Sequence, residues 1–150
     1  MRYLSIIVTL VAVMFTACSS KSGDQNTQVS PENLSKKVDQ LIKNDKYDDA
    51  LSLLDNQGSA QDASVNLDQL REKTYLNYGL YLEYRGGDTK SMRDRMTGAL
   101  RNYIEVLKIN RQNQKALSEV KQIMGIYSGM PKKSAPDDIK QELDQLGVSY

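Results

Sequence analysis

The sequence predicts an all-α fold of antiparallel helical hairpins with a short C-terminal helix. Three observations lead there. From residue 31 onward, apolar residues recur at three- and four-residue spacing in successive segments. No stretch shows sustained strand alternation with β-branched enrichment. The connections between segments are short, so neighbouring helices should run antiparallel.

Ser30-Pro31-Glu32 carries a capping hydroxyl, a proline at the first helical position and an acid at the positive end of the dipole. Leu34, Val38, Leu41 and Ile42 continue that helix, and "KNDK" stops it. A second helix runs from Tyr47 to Leu54, with Ala50, Leu51 and Leu54 on one face, and a polar loop follows. A long third helix is expected over about Ala63–Arg85, ended by Gly86-Gly87. A fourth is expected from near Asp88 to Ile109, with Met92, Met96, Ala99, Leu100, Tyr103, Val106 and Leu107 in register. A fifth spans Gln114–Tyr127 and carries Leu117, Val120, Ile123 and Met124. After "SGMPKKSAP", a short last helix starts at Pro136 and carries Ile139, Leu143 and Leu146.

Composition narrows the chemistry. The 150 residues are 39% hydrophobic and 26% charged, an ordinary globular balance for one domain with short extras. With 20 Lys and Arg against 19 Asp and Glu, no strong field favours nucleic acid. There is no histidine, so the usual neutral-pH base and the commonest metal ligand are missing. The single cysteine excludes an internal disulfide.

That cysteine sits at the end of a basic, then apolar, N-terminal stretch, "MRYLSIIVTLVAVMFTACSS". The apolar run is short for a bilayer span, which needs about 20 residues, but it suits a secretory signal peptide. "FTAC" resembles the lipobox of bacterial lipoproteins, with Phe15 in place of the preferred Leu. The resemblance implies a signal peptide over 1–17, cleavage before Cys18 and lipidation of Cys18. Several acyl chains, each buried CH₂ contributing about 0.8 kcal/mol, would then hold the protein at a membrane. Ser19, where Asp would signal inner-membrane retention in enteric bacteria, favours the outer membrane. Residues 18–30 read as the lipidated cysteine and a flexible tether. As a coil of a dozen residues the tether spans roughly 20 Å. Cleavage removes Arg2 and no acid, which brings the basic count level with the 19 acids.

Within the helical domain, 31–150, a second resemblance covers most of residues 31–127. "NDKYDDALSLLD" looks like the middle of a tetratricopeptide repeat through Tyr47, Ala50 and Leu54, and "ALRNYIEVLKINRQN" repeats it with Ala99, Tyr103 and Val106-Leu107. Tyr75, Tyr78, Gly79 and Leu82 match the large–large–Gly–large signature of a repeat's first helix, where Gly79 would let two helices approach closely. Ala50 and Ala99 stand further apart than the period of about 34, Trp is missing, and Arg111 replaces the usual Pro. The resemblance implies a tetratricopeptide-like short solenoid: two repeats, a half repeat and a terminal helix. Such stacks usually need about three units, so self-association into a homo-oligomer is a further expectation.

Tyr75, Tyr78, Tyr81 and Tyr84 recur every third residue. At 100° per residue they fan over about 180° and form no single stacking platform. A helix so apolar around its girth should be the central one, with Tyr75 and Tyr78 in the core. Carrying the repeat family's groove-facing positions onto this chain selects Lys73, Leu76, Leu80, Glu83 and Tyr84 as partner-binding residues. Leu76 and Leu80 also lie off the main apolar stripe, which fits either an open peptide groove or core covered by another helix. The flanking first helices place Ser35, Asp39, Ile42 and Lys43, and Lys115, Ser118 and Gln122, at corresponding positions. Arg93, Arg101 and Lys108 form a basic side of the fourth helix. It reads as a solvated exterior, with anionic lipid or an acidic partner as the other reading.

No catalytic residue, metal site or cofactor is expected. The cysteine would be consumed by lipidation, and "GMPKKS" lacks phosphate-loop spacing. Asp48-Asp49 and Asp137-Asp138 sit in first turns, where dipoles favour acids; adjacent helical residues do not face each other as a dyad. Small repeat lipoproteins of this kind serve outer-membrane assembly, pilus biogenesis and secretion. The resemblance thus implies a lipid-anchored adaptor facing the periplasm and docking an envelope protein. The alternatives are a small-ligand binder using Tyr81 and Tyr84, and a structural component acting through self-association.

Overall fold

The computed structural model describes residues 31–57, 66–86, 91–129 and 134–150. The expected signal peptide over 1–17, Cys18 and the expected tether through residue 30 lie outside the described residues, as do the expected first turn of the third helix and the expected Asp88 start of the fourth.

Six helices follow in order: α1 (Pro31–Lys43), α2 (Tyr47–Asn56), α3 (Leu67–Tyr84), α4 (Met92–Ile109), α5 (Gln114–Ser128) and α6 (Asp137–Gln145). Among the described residues there is no strand. Side-chain oxygens set three of the starts. Asn66, Ser91 and Asn113 each accept the backbone N–H three residues on, at Gln69, Asp94 and Ala116. The α1–α2 turn is made by Asp45 at φ 58°, a conformation a short polar side chain tolerates. Its carboxylate then accepts from the Tyr47 hydroxyl at 2.9 Å and from Arg85 at 2.7 Å.

The pairings give the directions. Arg85, just past α3, meets Asp45 and Tyr47 at the start of α2, so α2 and α3 are antiparallel. Glu72 near the start of α3 receives hydrogen bonds from Asn110, at the end of α4, and Asn113, while Tyr103 reaches Glu83. Thr97 meets Tyr127, so α4 and α5 are antiparallel as well. The first helices of the hairpins therefore run the same way. Asp39–Lys73 joins α1 to α3, and Tyr84–Glu119 joins α3 to α5. These three form one layer; α2, α4 and α6 form the other.

Two cores lie between the layers, and α3 serves both. Leu34, Val38, Ala50, Leu54 and Leu70 form the smaller, with Leu67 packed on it. Leu82, the α4 stripe, Val120, Ile123, Ile139 and Leu143 belong to the larger, against which Tyr75, Leu76, Tyr78, Leu80 and Tyr81 pack. The expectation of a central helix with neighbours on two sides is met. The paired positions Ala50 and Ala99, and Leu54 and Tyr103 four residues after each, are all 0% exposed.

Gly79 explains how closely α3 and α4 approach. A Cβ there would stand 2.5 Å from Cε1 and 2.8 Å from Cδ1 of Tyr103. The glycine leaves the space the Tyr103 ring fills, and that ring is itself 0% exposed.

The basic side of α4 is exposed at Arg93, Arg101 and Lys108, and each of the three also has a partner on α6 or in the segment before it. Arg101 pairs with Asp138 at 2.7 Å, and Lys108 with Glu142 at 2.8 Å. Arg93 donates to the Ser134 carbonyl and lies over the Tyr127 ring. These exposed contacts face α6 and the segment leading into it, and each adds little to stability. Asp138 and Glu142, one turn apart on α6, supply the matching acids.

Candidate functional site

The residues selected along α3 divide into two groups. Lys73 and Leu76 share a cavity of about 440 Å³ with Ser35 of α1 and with Gln69, Leu70 and Glu72. This hollow lies in the layer of first helices, in the seam between α1 and α3. Lys73 bridges the seam through Asp39 at 2.7 Å, with both side chains about half exposed, so the pair adds little to stability. Leu80, one turn beyond Leu76, is half-buried against the larger core. The leucines are therefore partly core and partly surface, between the two readings the sequence left open.

Glu83, expected among the groove-facing partner-binding residues, is not on the surface. It is 5% exposed. The Tyr103 hydroxyl donates to one carboxylate oxygen at 2.8 Å, and Gln122 donates to the other at 2.9 Å. Its register places it one turn after Gly79, on the same side as the Tyr103 ring. Tyr84, by contrast, is 56% exposed, and its hydroxyl donates to Glu119 at 2.7 Å. Gln122 also donates to the Tyr84 oxygen at 3.1 Å. Glu119 is 3% exposed and pairs with Lys115 one turn back. The second group is thus a network spanning α3, α4 and α5, in which Tyr103 and Glu119 join the foreseen positions Glu83, Tyr84, Lys115 and Gln122.

Its electrostatics are uneven. Burial is the largest influence on Glu83 and raises its pKa; the neighbouring Glu119 charge adds to this, while hydrogen bonds from Tyr103 and Tyr84 oppose it. Burial also works against ionisation of Glu119. There, hydrogen bonds from Lys115 and Tyr84 outweigh it and hold the carboxyl below the usual range. Burial and the Glu83 hydrogen bond push the Tyr103 phenol up, so it stays a donor.

The two carboxyls contribute to stability in opposite pH directions. Glu83 holds its proton more tightly in the fold than in the unfolded chain. Its contribution is complete below the unfolded pKa and is lost as pH rises through the folded one. That of Glu119 is present above its unfolded pKa and is lost as pH falls through its folded one. Glu83→Gln mimics the neutral acid and is expected to gain on the wild type as pH rises from 4 to 8. Urea unfolding at both pH values measures the gain; an equal difference at both would contradict the assignment.

The other tyrosines have structural neighbours. Tyr47 and Tyr78 stack at 4.8 Å and 8°, Tyr81 lies 5.4 Å from Tyr47, and Arg85 covers Tyr81 at 5.3 Å. Burial and then the Asp45 hydrogen bond push the Tyr47 phenol up to about 12. Tyr75 lines a smaller cavity of about 250 Å³ with Arg101, Asn102, Ile104, Glu105 and Glu142. Tyr81 and Tyr84, proposed partners around a small ligand, face different neighbours: Tyr81 meets α2 and Tyr84 meets α5. Among the described residues, no group of three or more His, Cys, Asp or Glu is placed to hold a metal ion, and no helix is long and apolar enough to cross a membrane. Comparison with known proteins finds no matching family model, no matching curated protein and no matching solved structure.

Proposed function

We propose that the chain is a lipid-anchored adaptor that docks an envelope protein on its layer of first helices. The cavity between α1 and α3, bordered by Lys73 and Leu76, carries this reading. It sets two leucines, Leu70 and Leu76, beside the polar Ser35 and Gln69 and the charged Glu72 and Lys73, a mixed lining that suits an amphipathic segment of a partner. Leu80 and Tyr84 extend the same helix face toward α5. The lipobox resemblance around Cys18 supplies the anchor and a periplasmic, outer-membrane setting. The near balance of 20 basic and 19 acidic residues argues for docking by shape and local pairing over long-range steering, and against nucleic acid.

Leu80→Asp is expected to abolish co-purification of the partner from detergent extracts, because an unpaired carboxylate would face an apolar contact. A melting temperature checks that the fold survives. Lys73→Glu, at an exposed site, provides a second variant in which the fold is barely touched. Unchanged capture with both would contradict docking on this face.

A further inference from the structure

The layer of first helices is held together unevenly. Asp39–Lys73 ties α1 to α3, and Glu72 holds Asn113 at the beginning of α5. Further along, the hydrogen bonds from α3 to α5 all pass through one group of side chains: Tyr84 to Glu119, Gln122 to Glu83 and Gln122 to Tyr84. We propose that this group is a clasp, which ties α5 to α3 while Glu83 keeps its proton and loosens when the proton leaves.

The charges around Glu83 supply the mechanism. From α3 itself comes the neutral Tyr84 phenol, and from α4 the neutral Tyr103 phenol, which donates to Glu83. From α5 come Gln122, the Glu119 carboxylate and Lys115, whose ammonium is paired to Glu119. With Glu83 neutral, this pocket holds one anion and one cation. Once Glu83 ionises it keeps the hydrogen bonds from Tyr103 and Gln122, which favour the anion, but two nearly buried carboxylates then share a single cation that sits on the other of them. Two like charges taken out of water repel strongly. Tyr103 lies in the larger core and cannot withdraw, whereas Glu119 and Gln122 ride on α5. Relief comes from movement of α5 away from α3, which lets water reach both carboxylates. The apolar contacts of α4 with Val120 and Ile123 keep α5 attached while the gap opens.

If the first-helix layer is the docking face, this movement makes docking depend on pH; that consequence rests on the proposed function, and the clasp itself does not. The experiment therefore uses the full chain without any partner. Amide hydrogen exchange is followed by mass spectrometry from pH 5 to 8, with rates corrected to protection factors at each pH. In the wild type, protection of α5 is expected to fall by up to about tenfold per pH unit above the folded pKa of Glu83, while α1 and α2 keep theirs. In Glu83→Gln, α5 protection should not change with pH. In Lys115→Met, which removes the only cation, ionisation is harder and the fall should begin at higher pH. Parallel behaviour of wild type and Glu83→Gln would overturn the clasp, as would loss of protection throughout the domain at once. Should Glu83→Gln fail to fold, an unmoved onset in Lys115→Met overturns it alone. None of these outcomes bears on whether a partner docks.

Discussion

Tyr103→Ala is expected to cost about 3–5 kcal/mol, the range for removing a large aromatic ring from a core. Two features place it at the upper end. The ring is 0% exposed and fills the space that Gly79 leaves open, so its removal creates a cavity between α3 and α4 that little else can fill. The hydroxyl also donates to Glu83, and its loss strips a nearly buried carboxyl of a partner. A domain of this size has about 5–15 kcal/mol in total, so the variant should be close to unfolding at body temperature. The contact can be tested from its other side. Gly79→Ala adds a methyl group within 3 Å of three ring atoms. Overpacking of that kind costs about 1–3 kcal/mol, against a helix-propensity gain of about 1 kcal/mol. On a Tyr103→Leu background the clash has largely gone, and Gly79→Ala should become neutral or stabilising. Urea denaturation of the four proteins in a double-mutant cycle measures the coupling. Additive effects would show that the helices do not meet through this ring.

Cys18→Ser is expected to have the largest effect on the cell. Without a thiol, no acyl chain can be attached, and the protein should move from the membrane fraction to the soluble fraction. Each lost acyl chain removes roughly 0.8 kcal/mol per buried CH₂, so the change should be close to complete. Mass spectrometry of the N-terminal peptide should show acylation in the wild type and none in the variant. A wild-type protein that is soluble and carries a free thiol would refute the anchored reading.

The sequence was most legible where the structure depends on local chemistry. The starts of α1 at Pro31, α2 at Tyr47 and α5 at Gln114 fall where the residues predict, and the periodic apolar residues mark which faces are buried. Gly79 signalled a close approach before its partner ring was known. Glu83 was harder to read. A glutamate at a groove-facing position reads as a solvated rim, because nothing within a few residues shows that Tyr103 and Gln122 will reach it. The available signal was indirect, since Glu83 follows Gly79 by one turn and so falls under the same ring. Arg93, Arg101 and Lys108 were ambiguous for the same reason. Taken alone they look like a solvated surface, which they are, and nothing local announces that Asp138 and Glu142 on a distant helix pair with two of them. Side chains whose partners lie tens of residues away carry little local imprint, and the three-helix network is made of such side chains.

Under the proposed function, the layer of α1, α3 and α5 is the working surface. Photo-crosslinking residues introduced singly at Lys73, Leu76 and Ser118 in that layer, and at Ser52 of α2 and Gln141 of α6 in the other, test it in the native membrane. Identical crosslinked products from the first three positions, and none from the last two, are the predicted result. Crosslinks to the same protein from Ser52 or Gln141, with none from Lys73, Leu76 and Ser118, would contradict it.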